Sequence, residues 1–273
     1  MSEREVAERF AALWQALDED ETLIDSVRAA LDRRQSRLAP ATFVANTFLV
    51  EASVYQGSRT EILRLRHRDL GLSYALKTVL SDSAVHADML RSEAQKHLPL
   101  QHQSILRAHT LLRLPDGRPG LLLDWMDGGT LSQRLNGPLS TADTETIAKS
   151  LFAGLAAIHA AGLVHADLTP ANLLFASADP ASLCIADFEI ALAGEPAATI
   201  RAQSQFAAPE TCAGARPDSR SDLYACGCIL AALLSRNENA APWLSNLARR
   251  LTEPDPDQRP QSAAAVLAYL AAA

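Results

Sequence analysis

The chain has 273 residues and a formal net charge of −7 at pH 7, and 48% of its residues are hydrophobic. This length allows one two-lobed domain or two small domains, and the composition suffices for a substantial core. The negative charge disfavours a general nucleic-acid-binding protein, because such proteins usually carry a basic face.

Two expectations concern the compartment and the metal content. No uninterrupted apolar run is long enough to cross a bilayer, so we expect no membrane span. The first ten residues, MSEREVAERF, are charged and lack the apolar stretch of a secretory signal, so we expect a cytoplasmic protein. The pair Cys226 and Cys228 has no second cysteine or histidine pair at zinc spacing, and we interpret both as small side chains inside a helix.

The first predicted elements are helices within residues 1 to about 38. The acidic stretch from Asp18 to Glu21 predicts a break between two of them. The apolar residues that recur at helical spacing on either side of this break are Phe10, Leu13, Trp14, Leu17, Ile24, Val27 and Leu31. We assign residues 1–42 to an N-terminal helical extension. Two interpretations of it stay open: a cap packed on the rest of the chain, or an element for protein docking or dimerisation.

A sheet with one helix is predicted next. The runs TFLVEASVYQ, TEILRLRHRD and LSYALKTVL have strand character, and turns at Gly57 and at Asp69 to Gly71 separate them. A charged helix is predicted from about Ala84 to Leu98, and two more strand-like runs follow it. From Gly128 onwards the pattern is mainly helical. This order predicts an α+β chain in which a β-rich part with one main helix precedes a mostly helical part.

The strongest chemical signal is the segment HADLTPANLL, which begins at His165. It places Asp167 five residues before Asn172, a spacing that resembles the catalytic loop of protein kinases. In such a loop the aspartate orients or accepts the proton of the attacking hydroxyl, and the asparagine reaches a metal that bridges the phosphates. Small-molecule phosphotransferases of the aminoglycoside kinase type share this string, so the string alone does not distinguish them from protein kinases.

Four more strings follow in the order that protein kinases have. They are IADFE with Asp187, APE with Glu210, SDLYACG with Asp222, and DPDQRP with Arg259. The resemblance implies that Asp187 holds the metal, that Asp222 braces the backbone of the catalytic loop, and that Glu210 pairs with Arg259.

This ordered set is similar to that of the eukaryotic-like Ser/Thr protein kinases of the bacterial type, over about residues 45 to 270. The resemblance implies a bilobal protein-kinase-like α+β fold, with the N-lobe and hinge at residues 43–127 and the C-lobe at residues 128–273. It also implies transfer of the γ-phosphoryl group of ATP to a hydroxyl of a protein substrate, with Mg²⁺ as the metal and Mn²⁺ as an alternative.

The resemblance extends to the residues around the nucleotide. Lys77, in the string YALK, is implied to contact the α- and β-phosphates, and Glu93 to hold it in register. The expected catalytic residues are Asp167, Lys77 and Glu93, and the expected metal ligands are Asn172 and Asp187. The expected ATP-binding residues are Gly57, Ile62, Ala75, Lys77, Asp124, Met126 and Leu174, with Leu123 as the gatekeeper.

The glycine-rich loop and the metal loop depart from the family pattern. The three glycine positions of the first loop hold Tyr55, Gly57 and Thr60. Glycine lets a backbone approach phosphates closely, so we expect weaker ATP binding or slower transfer. Glu189 stands where the metal loop of the family has a glycine, and its effect on the metal stays open.

The catalytic loop departs from the pattern as well. Ala166 replaces the arginine that normally pairs with a phosphorylated activation loop. We therefore expect activity that does not require phosphorylation of the candidate sites Thr199 and Ser204. Thr169 and Gln203 replace a lysine and a threonine of the family; they either form a substitute hydrogen bond or leave the transition state less stabilised.

Three functions compete at this point. An active protein kinase is favoured because all five expected catalytic and metal-binding residues are present. A pseudokinase or scaffold, which binds nucleotide or a partner with little transfer, is supported by the lost glycines and by Thr169. A small-molecule phosphotransferase is disfavoured because such enzymes usually lack the last three strings.

Two histidines receive structural interpretations. We expect His165 to pack beneath the metal loop as part of the core, and His159 to lie on a helix surface.

Overall fold

The computed structural model describes residues 43–81, 83–188, 205–237 and 241–272. The N-terminal extension assigned to residues 1–42 lies outside these ranges, as do Glu189, Thr199, Gln203 and Ser204. The expectations about them therefore stay predictions.

The first half of the described chain is built on one antiparallel sheet of six strands. The strands are β1 (Phe43–Val44), β2 (Phe48–Gln56), β3 (Thr60–His67), β4 (Ser73–Val79), β5 (Ala108–Arg113) and β6 (Pro119–Asp124). Their spatial order is β1-β2-β3-β4-β6-β5.

The two faces of this sheet have different neighbours. Ile62 pairs with Lys77 across β3 and β4, and Leu63 pairs with Leu76. Because successive residues of a strand point to opposite faces, these two pairs lie on opposite sides of the sheet. We call the side of Lys77 the inner face and the side of Leu76 the outer face.

One helix, α1 (Ala84–His97), packs on the inner face. It begins at Ser83, whose side chain accepts a hydrogen bond from the backbone N–H of His86. Its buried residues Leu90 and Ala94 pack in one apolar cluster with residues of β4 and β6. The charged helix predicted in this region is thus confirmed and ends one residue earlier than expected.

The second half is mostly helical. It contains α2 (Leu131–Arg134), α3 (Thr141–Ala160), α4 (Pro209–Cys212), α5 (Ser219–Leu234), α6 (Pro242–Leu251) and α7 (Ala263–Ala272), with the hairpin strands β7 (Leu173–Phe175) and β8 (Leu183–Ile185). The core of this half forms between α3 and α5, where Phe152 and Leu230 are buried. Gly227 lets α5 approach α6 closely, since a Cβ at this position would lie 2.7 Å from the Cβ of Leu251.

The chain passes between the halves in a connecting segment, residues 124–130, which begins at the last residue of β6 and ends before α2. The backbone N–H of Gly128 donates to the carbonyl of Phe175 at 2.8 Å. A Cβ at residue 128 would lie 2.1 Å from the carbonyl oxygen of Ser177, so only glycine fits here. This contact fixes where the connecting segment meets the hairpin that precedes the metal loop.

The observed order, a sheet with one main helix and then a mostly helical half, confirms the predicted α+β architecture. Cys226 is buried in α5 and Cys228 is half-buried there, as interpreted. Within the residues that the structure describes, no helix is both long enough and apolar enough to cross a membrane.

Candidate active site

Lys77 joins three parts of the molecule. Its Nζ lies 2.9 Å and 2.8 Å from the two carboxylate oxygens of Glu93, and 2.9 Å from Oδ1 of Asp187. Lys77 is on the inner face of β4, Glu93 is on α1, and Asp187 follows β8. The structure therefore brings together the sheet, the helix and the metal loop at one buried cation.

The charge of Lys77 depends on these two partners. Burial alone would lower the pKa of Lys77, but the negative charges of Glu93 and Asp187 outweigh burial and raise the pKa above its usual value. The amine is therefore protonated at neutral pH and can bond anionic oxygens.

The catalytic loop, residues 165–174, is held by a carboxylate of α5. Asp222 accepts the backbone N–H of His165 with Oδ2 and that of Ala166 with Oδ1, both at 2.8 Å. Ala166 has a φ of 64°, a left-handed conformation that costs a non-glycine residue roughly 1–2 kcal/mol. The two bonds to Asp222 fix this turn and thereby aim the next residue, Asp167.

Asn172 closes the same loop over Asp167. Its Nδ2 donates to the backbone carbonyl of Asp167 at 2.8 Å and lies 3.5 Å from the carboxylate oxygen Oδ2. The backbone N–H of Asp167 lies 3.3 Å from Nδ1 of His165. The loop therefore places both residues predicted from their spacing beside each other, with Asp167 half-buried.

Residues 185–188 of the metal loop lie against the catalytic loop. The backbone N–H of Ala186 donates to the carbonyl of Asn172 at 2.9 Å, and the carbonyl of Ala186 lies 3.0 Å from Nε2 of His165. Asp187 has a φ of 67°, again in the left-handed region. His165 is buried beneath this loop, as predicted.

His159 was expected on a helix surface, and that prediction is wrong. Its Nε2 lies 2.9 Å from Oδ2 of Asp222, and the side chain is largely buried. The helical spacing of α3 could place His159 near the edge of the apolar stripe, but the carboxylate that draws it inward comes from a helix 63 residues later. His159 therefore belongs to the group that supports the catalytic loop.

His97 is a residue of the site that the sequence did not reveal. Its Nε2 lies 2.5 Å from the carbonyl of Leu106, and its ring centroid is 4.4 Å from that of Phe188. The ring of Phe188 also lies 5.2 Å from that of His165. Burial lowers the pKa of His97 to about 4, so the ring is neutral at pH 7. These tilted ring contacts connect the end of α1 to the metal loop.

The apolar residues predicted around the base lie on both sides of the cleft between the halves. Ala75 and Leu123 are buried there, and Ile62, Met126 and Leu174 are half-buried members of the same cluster. They come from β3, β4, β6, the connecting segment and β7, so the cleft is lined from both halves.

The connecting segment offers backbone groups at the cleft. The N–H of Asp124 donates to the carbonyl of Arg107 at 3.0 Å. Neither the N–H nor the C=O of Met126 has a hydrogen-bond partner within the described parts of the chain. The backbone of Met126 can therefore bond the edge of a planar base, whereas the N–H of Asp124 is already used by Arg107.

The loop between β2 and β3 is a tight turn. The N–H of Gly57 donates to the carbonyl of Thr60 at 2.9 Å. A Cβ at residue 57 would lie 3.1 Å from the hydroxyl oxygen of Tyr55, whose side chain is 57% exposed. The single glycine thus closes the turn, and Tyr55 occupies space that a glycine would leave open.

A depression of about 370 Å³ opens to solvent beside the catalytic loop. Its lining includes Asp167 together with Phe206, Ala207, Ala208, Pro217 and Ala225. Its walls are mainly apolar.

The pair Glu210 and Arg259, implied by the resemblance, is present. The two terminal guanidinium nitrogens of Arg259, Nη1 and Nη2, donate to Oε1 and Oε2 of Glu210 at 2.7 Å and 2.8 Å. Burial would raise the pKa of Glu210, but the bonds from Arg259 outweigh it and hold the pKa below its usual value. This two-pronged bond ties α4 to the segment before α7.

The donor set suits a divalent metal held together with phosphates. Asp187 supplies a carboxylate, and the amide of Asn172 keeps an oxygen because its nitrogen bonds Asp167. Among the described residues no group of three or more His, Cys, Asp or Glu could hold a metal alone. Mg²⁺ commonly takes one or two protein oxygens and completes its shell with phosphates and water, so these residues fit it.

Comparisons with known proteins agree with this geometry. A family model described as the protein kinase domain matches residues 48–243. The serine/threonine-protein kinase pkn2 of Myxococcus xanthus is 29% identical to the chain over 86% of the chain and 34% of its own length. The serine/threonine-protein kinase PknL of Mycobacterium tuberculosis is 30% identical over 69% of the chain and 49% of its own length. The chain thus spans a third to a half of the length of these curated relatives.

A solved structure supports the fold. The kinase domain of PknI from Mycobacterium tuberculosis superposes with a TM-score of 0.64 at 21% identity, covering 86% of the chain and 99% of that domain. At this identity the likeness bears on the fold alone, and it agrees with the two-lobed α+β prediction.

Proposed function

Because the chain belongs to the protein kinase family, we propose that it is an ATP-dependent Ser/Thr protein kinase that transfers the γ-phosphoryl group to a protein hydroxyl. The observation that carries the proposal is the position of Lys77, which contacts Glu93 and Asp187 at 2.8–2.9 Å. In a kinase this lysine must be charged and held in a fixed position so that it can position the phosphates of ATP.

The proposal divides the described chain at the connecting segment. Residues 43–127 act as the N-lobe and hinge and residues 128–273 as the C-lobe. The base lies between Ala75 and Leu174 and bonds the backbone of Asp124 and Met126. The half-buried positions of Leu174 and Met126 in one apolar cluster support this arrangement.

The chemistry assigned to the chain is mainly positioning. Asp167 accepts the proton of the attacking hydroxyl, and its aim depends on the bonds from Asp222 to the backbone of the catalytic loop. Asn172 and Asp187 hold Mg²⁺, or Mn²⁺ as an alternative. The metal, when bound, neutralises charge on the phosphates.

Activity without activation-loop phosphorylation is part of the proposal. Ala166 contributes a backbone N–H to Asp222, and its methyl side chain has no group that can bond a phosphate. The catalytic loop therefore lacks the arginine that would pair with the charge of a phosphorylated activation loop. The double variant Thr199→Ala, Ser204→Ala is expected to keep transfer activity within about twofold of the wild type. A loss of ten-fold or more would show that loop phosphorylation is required.

The experiment for the kinase assignment is transfer of ³²P from γ-labelled ATP with Mg²⁺ or Mn²⁺. Autophosphorylation and a generic basic protein acceptor are both measured. Asp167→Asn is compared with Asp179→Asn, a matched change at an exposed turn. We expect label in the wild type and the control, and a loss of about 10³-fold or more in Asp167→Asn.

Absence of label is the outcome that would favour a pseudokinase. The turn at Gly57, narrowed by Tyr55, is the structural feature that supports this alternative. In that case nucleotide would still raise the thermal midpoint while no acceptor is labelled. Label that persists in Asp167→Asn would contradict the catalytic assignment itself.

A further inference from the structure

The outer face of the six-stranded sheet is closed to water, although it points away from the cleft. Its central apolar side chains are between 0 and 4% exposed; they are Val50, Leu63, Leu65, Leu76 and Leu122. They form a cluster separate from the one that includes α1. A sheet face of this kind is normally buried against a second layer of structure.

No described helix supplies this layer. α1 lies on the inner face, where Leu90 and Ala94 pack. All described members of the outer cluster belong to strands or to the turn between β5 and β6. Strand β1 adds Val44 to this cluster, but it pairs only with the start of β2, near His67. β1 is therefore an edge strand of the same sheet and does not form a second layer over the outer face.

Charged residues at the other end are buried too. Glu61 is 2% exposed and Arg118 is 3% exposed, although such residues are almost never fully buried without a partner. Arg118 donates to Asp116 and to the carbonyl of Val79, but Oε2 of Glu61 has no hydrogen-bond partner among the residues that the structure describes. Glu61 lies six residues from His67 along β3, which is about 20 Å. The cover therefore extends along the whole face.

We propose that residues 1–42 form this second layer, as an intramolecular cap of two amphipathic helices packed across the outer face. Continuity of the chain supports this occupant, because residue 42 leads directly into β1 and Val44 is already part of the outer cluster. Besides residues 1–42, the residues that the structure does not describe are Asp82, residues 189–204, residues 238–240 and Ala273. The longest of them starts at the metal loop, on the inner side of the sheet.

The sequence of the segment fits the face in size, pattern and charge. A helix of about 14 residues is about 21 Å long, and six strands spaced by about 4.8 Å give a sheet of similar width. The stripe of Phe10, Leu13, Trp14 and Leu17 provides an apolar side for the leucines of the sheet. The arginines near the end of the segment are Arg28, Arg33, Arg34 and Arg37, and they offer a partner for Glu61.

This proposal chooses the cap over an external docking element, and it does not depend on catalysis. Leu76 on the outer face is followed in β4 by Lys77 on the inner face. A cap that immobilises β3 and β4 therefore stabilises the lobe from which Lys77 projects.

The test uses the full chain and compares Leu13→Asp with Gln15→Asp. Both add one carboxylate to the same predicted helix, but residue 13 lies in the apolar stripe and residue 15 on the opposite side. Hydroxyl-radical footprinting measures oxidation of Leu63, Leu65 and Leu76, and a thermal melt measures the midpoint. We expect all three leucines to be protected in the wild type and in Gln15→Asp.

In Leu13→Asp we expect oxidation of these leucines to rise at least threefold and the midpoint to fall by about 5 °C or more. Equal behaviour of the two variants would overturn the proposal. A lower midpoint with unchanged protection would mean that the segment packs elsewhere. Protection that disappears on dilution, together with a dimer in light scattering, would assign the face to a second copy and would also overturn it.

Discussion

Lys77 carries a positive charge at a place where burial opposes it, and Glu93 supplies most of the compensation. Glu93 contacts the amine with both oxygens, at 2.9 Å and 2.8 Å. In Glu93→Gln the lysine keeps Asp187 as its one anionic partner and turns towards it. We expect kcat/KM for ATP to fall by about 10- to 100-fold, the usual effect of losing a group that orients another, as measured by steady-state phosphorylation of a generic acceptor.

Asp88→Asn is the matched control for this change. Asp88 lies on the same helix and pairs with Arg91, but both side chains are exposed. An exposed pair contributes less than about 1 kcal/mol, so activity is expected to stay within twofold of the wild type. If Glu93→Gln were as active as the control, the contact with Lys77 would have no role in positioning.

His97 makes the stability of the protein depend on pH. Burial lowers its pKa to about 4 in the folded chain, whereas an unfolded histidine titrates near 6.5. Between these pH values the unfolded chain binds one more proton than the folded chain. The contribution of His97 to the stability of the fold is therefore full above about pH 6.5 and is lost as the pH falls towards 4. Denaturant unfolding at pH 7 and pH 5 is expected to show this loss, up to about 2 kcal/mol.

His97→Gln separates this effect from other titrations. Glutamine can still donate to the carbonyl of Leu106 but does not titrate, so the difference in stability between pH 7 and pH 5 is expected to shrink by about half or more. His86→Gln, on the same helix and half-buried, is the control and should keep the wild-type difference. If the unfolding free energy of His97→Gln kept the wild-type pH dependence, groups other than His97 would be responsible for that dependence.

At the scale of elements, the short helix α4 depends on one ion pair. The side chain of Arg259 is fully buried, whereas Glu210 is 19% exposed. Glu210→Gln leaves a buried guanidinium without its anion, which typically costs about 3–5 kcal/mol. We expect the free energy of unfolding in denaturant to fall by about this amount without a change in the slope of the transition.

Asp257→Asn removes a different ion pair in the same region and serves as its comparison. Asp257 contacts Arg220 at 2.5 Å, but its side chain is 77% exposed. The expected loss is below about 1 kcal/mol, because water screens exposed pairs. Equal losses of unfolding free energy in the two variants would mean that burial of Arg259 does not determine how much its ion pair with Glu210 stabilises the protein.

The elements that sequence reasoning predicted best are those with a local signal. The strands around Gly57 and Gly71 and the helix α1 follow from residue periodicity and turn residues. The contacts between Lys77 and Glu93 and between Glu210 and Arg259 followed from family resemblance, since residues 16 and 49 positions apart give no local sign of contact. Resemblance thus supplied what periodicity could not.

His97 and His159 show what neither source supplied. His97 meets Phe188, and His159 meets Asp222, across the core. A lone histidine in a helix has the same local pattern whether it is exposed or buried. The burial of Glu61 is a similar case, because a glutamate in a strand predicts an exposed side chain. These placements depend on how elements pack, which a single sequence does not encode locally.

At the scale of the whole molecule, the cleft is made by both halves, so a ligand that fills it should hold them together. Ala75 and Lys77 come from the first half, and Leu174 and Asp187 from the second. Ligand at about 100 times its dissociation constant stabilises the folded state by about 2.7 kcal/mol. We expect adenosine to raise the thermal midpoint slightly and ATP with Mg²⁺ to raise it by about 5 °C or more.

The part of this shift that needs the metal should depend on Asp187. In Asp187→Asn the apolar walls of the cleft are unchanged, so the shift with adenosine is expected to stay, while the increment from Mg²⁺ with ATP is lost. Asp69→Asn, at an exposed turn far along the chain from the metal loop, should keep both shifts. A metal-dependent increment that survives in Asp187→Asn would place the metal elsewhere. A variant that loses the adenosine shift too would show that the bond between Lys77 and Asp187, rather than the metal, keeps the two halves in register.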